Sequence, residues 1–124
     1  MALLLAIDKT YSVCPDSSLL KPCSCKDDNI SCGCIEDIDL VNIFQTLSEK
    51  LPKDKKHFKE FYLNNTFIIE LKENTFSDIT FEAITIIFCS NLNTINTNAF
   101  NTTDLVTNQL MIRFNPKIIQ FTIL

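Results

Sequence analysis

One pattern occurs twice in the chain. Phe58-x-x-Phe61-x-Leu63 leads to Leu71-x-x-Asn74-Thr75-Phe76, and Phe81-x-x-Ile84-x-Ile86-x-x-Cys89 leads to Ile95-x-x-Asn98-Ala99-Phe100. Phe61 and Ile84 stand 23 residues apart, and Phe76 and Phe100 stand 24 apart. A period in the twenties with apolar residues at fixed offsets marks units that bury their apolar face only by stacking on one another. This constrains the chain to an array of short units and speaks against an ordinary enzyme core. A third unit, Leu110-x-Ile112-x-x-Asn115-x-x-Ile118-x-x-Phe121, keeps the first half of the pattern. No second cysteine cluster follows to cover it, so an exposed apolar edge is expected, which suggests a truncated protein or an association surface.

Within each unit the alternation Phe61-Tyr62-Leu63, Ile84-Thr85-Ile86 and Leu110-Met111-Ile112 predicts three short strands at matching points, stacked side by side and parallel. Phe76 and Phe100 close their units and are expected to fill the far side of the core. Upstream, Ile38, Val41, Ile43, Phe44, Leu47 and Leu51 recur at three- and four-residue spacings within 35–51, the stripe of an amphipathic helix. Acidic Glu36, Asp37 and Asp39 near its start, Lys50 near its end and the stop at Pro52 suit that helix. The lysines around His57 are interleaved with Glu49, Asp54 and Glu60 and read as a solvated linker. Gly33 is the sole glycine, which disfavours phosphate-cradling loops, dinucleotide fingerprints and tight hairpins.

With 124 residues and 46% hydrophobic content the chain can bury one modest core, and a net charge of −4 gives no footprint for a polyanion such as nucleic acid. Five of the six cysteines fall between Cys14 and Cys34, a density that points to an oxidising compartment. That stretch also holds Pro15 and Pro22 and lacks apolar periodicity, so it reads as a cysteine-stapled cap, neither helix nor sheet. Ala2 to Ile7 form an apolar run too short for an ordinary signal core, and residues 1–13 are read as a truncated signal segment. No apolar run reaches the ~20 residues of a membrane-spanning helix. Sequons at Asn29, Asn64 and Asn101 fit a secreted glycoprotein.

The cysteines and the single histidine bear on two kinds of chemistry. Cys23-x-Cys25 and Cys32-x-Cys34 could offer four thiols to zinc, but one intervening residue is tight for a zinc pair, and disulfides are favoured. Catalysis has little support, because His57 is the only histidine and no nucleophile, base and orienting group can be placed together. No enzyme activity, cofactor or metal is expected.

The repeat resembles that of leucine-rich repeat proteins, L-x-x-L-x-L-x-x-N/C-x-L, with Ile95 to Phe100 matching the I-x-x-N-A-F ending found in that family. Cys89 and Asn115 occupy its ladder position, and Thr66 stands there in the first unit. Cys14, Cys23-x-Cys25 and Cys32 resemble the N-terminal cap of extracellular members, which implies bridges Cys14 to Cys25 and Cys23 to Cys32. Cys34 and Cys89 are left over, with a buried thiol expected at Cys89. The order Cys14-Pro15, Lys21-Pro22-Cys23-Ser24-Cys25, Asn29-Ile30-Ser31-Cys32, Ile43-Phe44 and Phe81-Glu82-Ala83-Ile84 is similar to secreted arthropod proteins akin to the non-catalytic subunit of oplophorus-type luciferin monooxygenase. The implied fold is an α/β leucine-rich repeat solenoid with short parallel β-strands on the concave side and an irregular, 3-10 or helical convex side. A disulfide-stapled N-terminal cap (14–34), one amphipathic helix with its linker (35–57) and about two and a half repeats (58–124) complete it.

In such a strand the residues between buried positions face the concave side. Here these are Glu60, Tyr62, Asn64 and Asn65, then Ala83, Thr85, Ile87 and Phe88, then Gln109, Met111, Arg113 and Phe114. Tyr62, Ile87, Phe88, Met111, Arg113 and Phe114 are the candidate partner-binding residues, because exposed aromatic and Met side chains suit a protein interface. The alternative is that a subunit or a further segment conceals them. A glycan on Asn64 would sit at the edge of this face and hinder a partner. The expected function is protein binding by a secreted module, and the alternative is an accessory subunit held through its C-terminal repeat edge.

Overall fold

The computed structural model describes residues 13–33, 37–65, 67–96, 98–100, 109–113 and 120–121, and at 109, 110, 113, 120 and 121 it describes the backbone. Within these, eight strands form two sheets beside a single α-helix. The larger sheet holds β1 (Ser24–Lys26), β2 (Asn29–Cys32), β3 (His57–Leu63), β5 (Thr80–Ile87) and β7 (Gln109–Arg113), in that order. The smaller holds β4 (Glu70–Leu71), β6 (Thr94–Ile95) and β8 (Gln120–Phe121).

Every pairing from β2 onward is parallel in both sheets. Parallel neighbours cannot be joined by a tight turn and need a long crossover. The chain crosses from β2 to β3 through the helix, from β3 to β5 through β4, and from β5 to β7 through β6. Register follows the sequence period. Phe61 lies opposite Ile84 and Leu63 opposite Ile86, while Ile84 lies opposite Leu110 and Ile86 opposite Ile112.

These registers set the buried rows. Ile30, Phe61 and Ile84 form one, and Cys32, Leu63 and Ile86 form the next, all at most 1% exposed. Leu71 and Ile95 from the smaller sheet join the same core. At its centre Phe44, Phe61, Phe76 and Phe81 meet with ring centroids 5.1 to 5.9 Å apart, mostly edge to face, and Phe100 stacks on Phe76 at 5.9 Å. Burying one such side chain stabilises the fold by about 1.5–3 kcal/mol, so this cluster is the main link between the sheets and the helix.

The helix, α1 (Leu40–Lys50), is shorter than the stripe in the sequence suggests. Residues 37–39 are not helical, because the Asp39 carboxylate accepts a bond from Asn42 N–H at 3.1 Å and caps the first turn there. Its far end stops before Pro52 as expected. The apolar stripe buries Leu40, Ile43, Phe44 and Leu47.

The cysteine-rich stretch departs further from expectation. It contains a hairpin, β1 with β2, that extends the larger sheet through β2 and β3. Glycine scarcity does not prevent this turn, since Asp27 and Asp28 take the left-handed conformation themselves, at φ 51 and 66. Two consecutive positive φ values between antiparallel strands are what a two-residue turn of the primed type requires, and Asp tolerates them better than bulkier residues. Disulfides join Cys14 to Cys25 and Cys23 to Cys32, holding the hairpin to the segment before it. The linker is likewise shorter than read. His57 is the first residue of β3, where its Nδ1 lies 2.9 Å from Thr80 Oγ1.

Candidate functional site

The face of the larger sheet turned away from the core is built from the strand positions that alternate with the buried rows. Register aligns them across the sheet. One row is Lys26, Asn29, Glu60, Ala83 and Gln109, and the next is Ser24, Ser31, Tyr62, Thr85 and Met111. Ile87 sits opposite Arg113 in the row beyond. Thr85 Oγ1 donates to Glu60 Oε2 at 2.9 Å, which ties the two rows together.

Register therefore places Tyr62 and Met111 in one row with Thr85 between them. Tyr62, Ile87 and Met111 are half-buried, contrary to the expectation of an exposed stripe, because strands only one pairing apart screen each other's side chains. Phe88 differs. It lies one residue past the end of β5, at φ 56, and is 49% exposed. A bulky residue in the left-handed region costs about 1–2 kcal/mol, so an aromatic side chain is being presented to solvent from a backbone conformation that disfavours it. Arg113 is placed by its backbone in β7, and Phe114 lies outside the described residues.

Asn65, expected on this face, is instead fully buried. Its Oδ1 accepts from Phe67 N–H at 2.8 Å and Ile68 N–H at 2.9 Å, and its Nδ2 donates to Gly33 O at 2.9 Å. That is the ladder role read for Thr66, moved one residue earlier; Thr66 itself lies outside the described residues. The Asn64-Asn65-Thr66 run offers three polar residues in a row, and only the turn geometry selects among them. In the second unit the buried Cys89 takes the corresponding place, its Sγ 3.8 Å from Leu63 O and 3.6 Å from Ile87 O. Burial pushes this thiol above its ordinary range, outweighing a backbone bond at Asn65 that lowers it.

Three of the four thiols read for zinc, Cys23, Cys25 and Cys32, are in disulfides, Cys23 with Cys32 and Cys25 with Cys14. Among the described residues no cluster of three or more His, Cys, Asp or Glu side chains could hold a metal ion. Cys34 and the sequon Asn101 lie outside the described residues, as does the apolar run Ala2 to Ile7. Asn64 is half-buried just beyond β3, and Asn29 lies within β2 with its Oδ1 buried. No helix among the described residues is long and apolar enough to cross a membrane.

A recess of another kind lies beyond this face, and no motif in the sequence marks it. A cavity of about 430 Å³ is lined by Asp37 to Val41, by Phe67 to Lys72 and by Thr75. Phe67 and Ile69 at its wall are 49% and 60% exposed. The alternation Phe67-Ile68-Ile69, with the middle residue buried, is the only trace of it in the sequence.

Compared with known proteins, the chain matches no family model, no curated protein and no solved structure.

Proposed function

We propose that this protein is a secreted, non-enzymatic leucine-rich repeat module that binds a protein through the concave side of its larger sheet. Two observations support the solenoid reading: apolar positions recurring in the twenties, and a chain that alternates between two parallel sheets in step with them. Two disulfides in a short chain support an oxidising, extracellular setting. The observation that carries the functional reading is Phe88, a half-exposed aromatic in a strained conformation at the edge of the face formed by Tyr62, Thr85, Ile87 and Met111. Strain retained at one surface residue is a mark of function, and aromatic residues dominate binding energy at protein interfaces.

The test is capture from native extracellular fluid on immobilised protein, read by mass spectrometry, with Phe88→Asn run in parallel and both chains made in a host that adds no N-glycan, because Asn before Cys89-Ser90 completes a sequon. Asn tolerates the left-handed region, so this variant removes the ring without straining the fold. The reading expects a protein held by the native chain and lost by the variant. A glycan found on Asn64 would argue against this site, because Asn64 adjoins it.

One observation favours a second reading, an accessory subunit held through its C-terminal edge. The buried row Cys32, Leu63 and Ile86 is fully covered, whereas Ile112, next in the row, is half-buried. Capture undiminished by Phe88→Asn would favour that edge.

A further inference from the structure

The cavity beside Phe67 to Lys72 has the parts of a strand-docking groove. β4 ends its sheet, with β6 bonded along one side through Asn93 N–H to Ile69 O at 3.0 Å and Asn96 N–H to Leu71 O at 2.9 Å. The cavity's lining includes Glu70 and Leu71 of β4 together with Asp37 to Val41 and Thr75, and none of β6. A terminal strand offers a row of backbone donors and acceptors to any extended segment laid beside it. The wall is fixed in advance. Asn65, fully buried, holds both Phe67 N–H and Ile68 N–H, and Thr75 Oγ1 donates to Lys72 O. Little ordering would remain to be done on binding, which favours affinity.

The side chains at the groove state what would fit. Ile38, Val41, Phe67 and Ile69 are among its apolar lining residues, and the charged ones are Asp37, Asp39 and Glu70 against Lys72. Three acidic groups against one basic give the groove a formal charge of −2. We propose that this groove docks an extended, lysine- or arginine-bearing segment of a partner protein, added as a strand to the free side of β4, with apolar side chains resting on Phe67 and Ile69. Backbone bonds to β4 supply the register, and the acidic rim selects a basic segment over an acidic one.

The probe is a capped five-residue peptide, Lys-Val-Lys-Val-Lys, titrated into nitrogen-15-labelled protein and followed by amide chemical shifts. Saturable shifts at 67–72 and 37–41 are expected. Binding should weaken about tenfold or more in Glu70→Lys and in Ile69→Ser, two exposed positions where the fold is indifferent to the change. It should also fail for a peptide whose valine nitrogens are methylated, which removes strand pairing and keeps the charge. Phe88→Asn should leave it unchanged, so this groove and the concave face can fail separately. Shifts absent or confined to the larger sheet, undiminished binding to Glu70→Lys, or equal binding of Glu-Val-Glu-Val-Glu would overturn the proposal.

Discussion

Asn65 and Cys89 do the same job with different chemistry. Each sits buried where the chain leaves the larger sheet; Asn65 directs its Oδ1 at the backbone of the following turn, and Cys89 its thiol at the last carbonyls of β3 and β5. Replacing Asn65 with Ala would leave Phe67 N–H, Ile68 N–H and Gly33 O without this partner, at a cost of about 2–3 kcal/mol in urea unfolding. Cys89 gives a pH signature. Its folded-state pKa is raised, so its contribution is fully present below the ordinary thiol range near 8.5 and is lost as pH rises through the raised folded value. Above about pH 8.5 the unfolded chain ionises first, and stability should fall more steeply in the native protein than in Cys89→Ala. Phe88→Asn should have the opposite sign from most substitutions, raising stability by about 1 kcal/mol through relief of the left-handed strain. The buried thiol at Cys89 is expected from its spacing, whereas the roles of Asn65 and Phe88 do not follow from the sequence. Asn65 stands among polar neighbours, and the backbone angle at Phe88 has no counterpart in the pattern.

At the level of elements the helix and the strands were legible, because apolar spacing dictates both. The stripe from Ile38 to Leu51 located α1, while its start was misjudged because Asp39 caps the helix more effectively than Glu36 or Asp37 can extend it. Asp39→Ala should cost about 1 kcal/mol, measured by thermal or urea unfolding. The hairpin was not legible. Its signal is two aspartates, Asp27 and Asp28, between Ser24-Cys25-Lys26 and Asn29-Ile30-Ser31, and glycine was the expected marker for such a turn. Exchanging them for Asn-Gly should stabilise the hairpin by up to about 1 kcal/mol, since both new residues adopt positive φ more readily.

For the whole molecule, the repeating units pair in parallel within two sheets that share one phenylalanine core, because residues at equal phase in successive units must pair if their apolar faces are to be covered. The groove at β4 stayed hidden because it arises between segments about thirty residues apart, where no local spacing records their approach. The proposed role rests on one claim, that the concave face around Phe88 contacts a protein. The most direct measurement takes the captured protein, purified, and compares its dissociation constant for the native chain and for Phe88→Asn by surface plasmon resonance, with unfolding of both followed in the same buffer. The account predicts affinity weaker by about tenfold or more in a variant at least as stable as the native chain. Unchanged affinity, with stability held or raised, would contradict it.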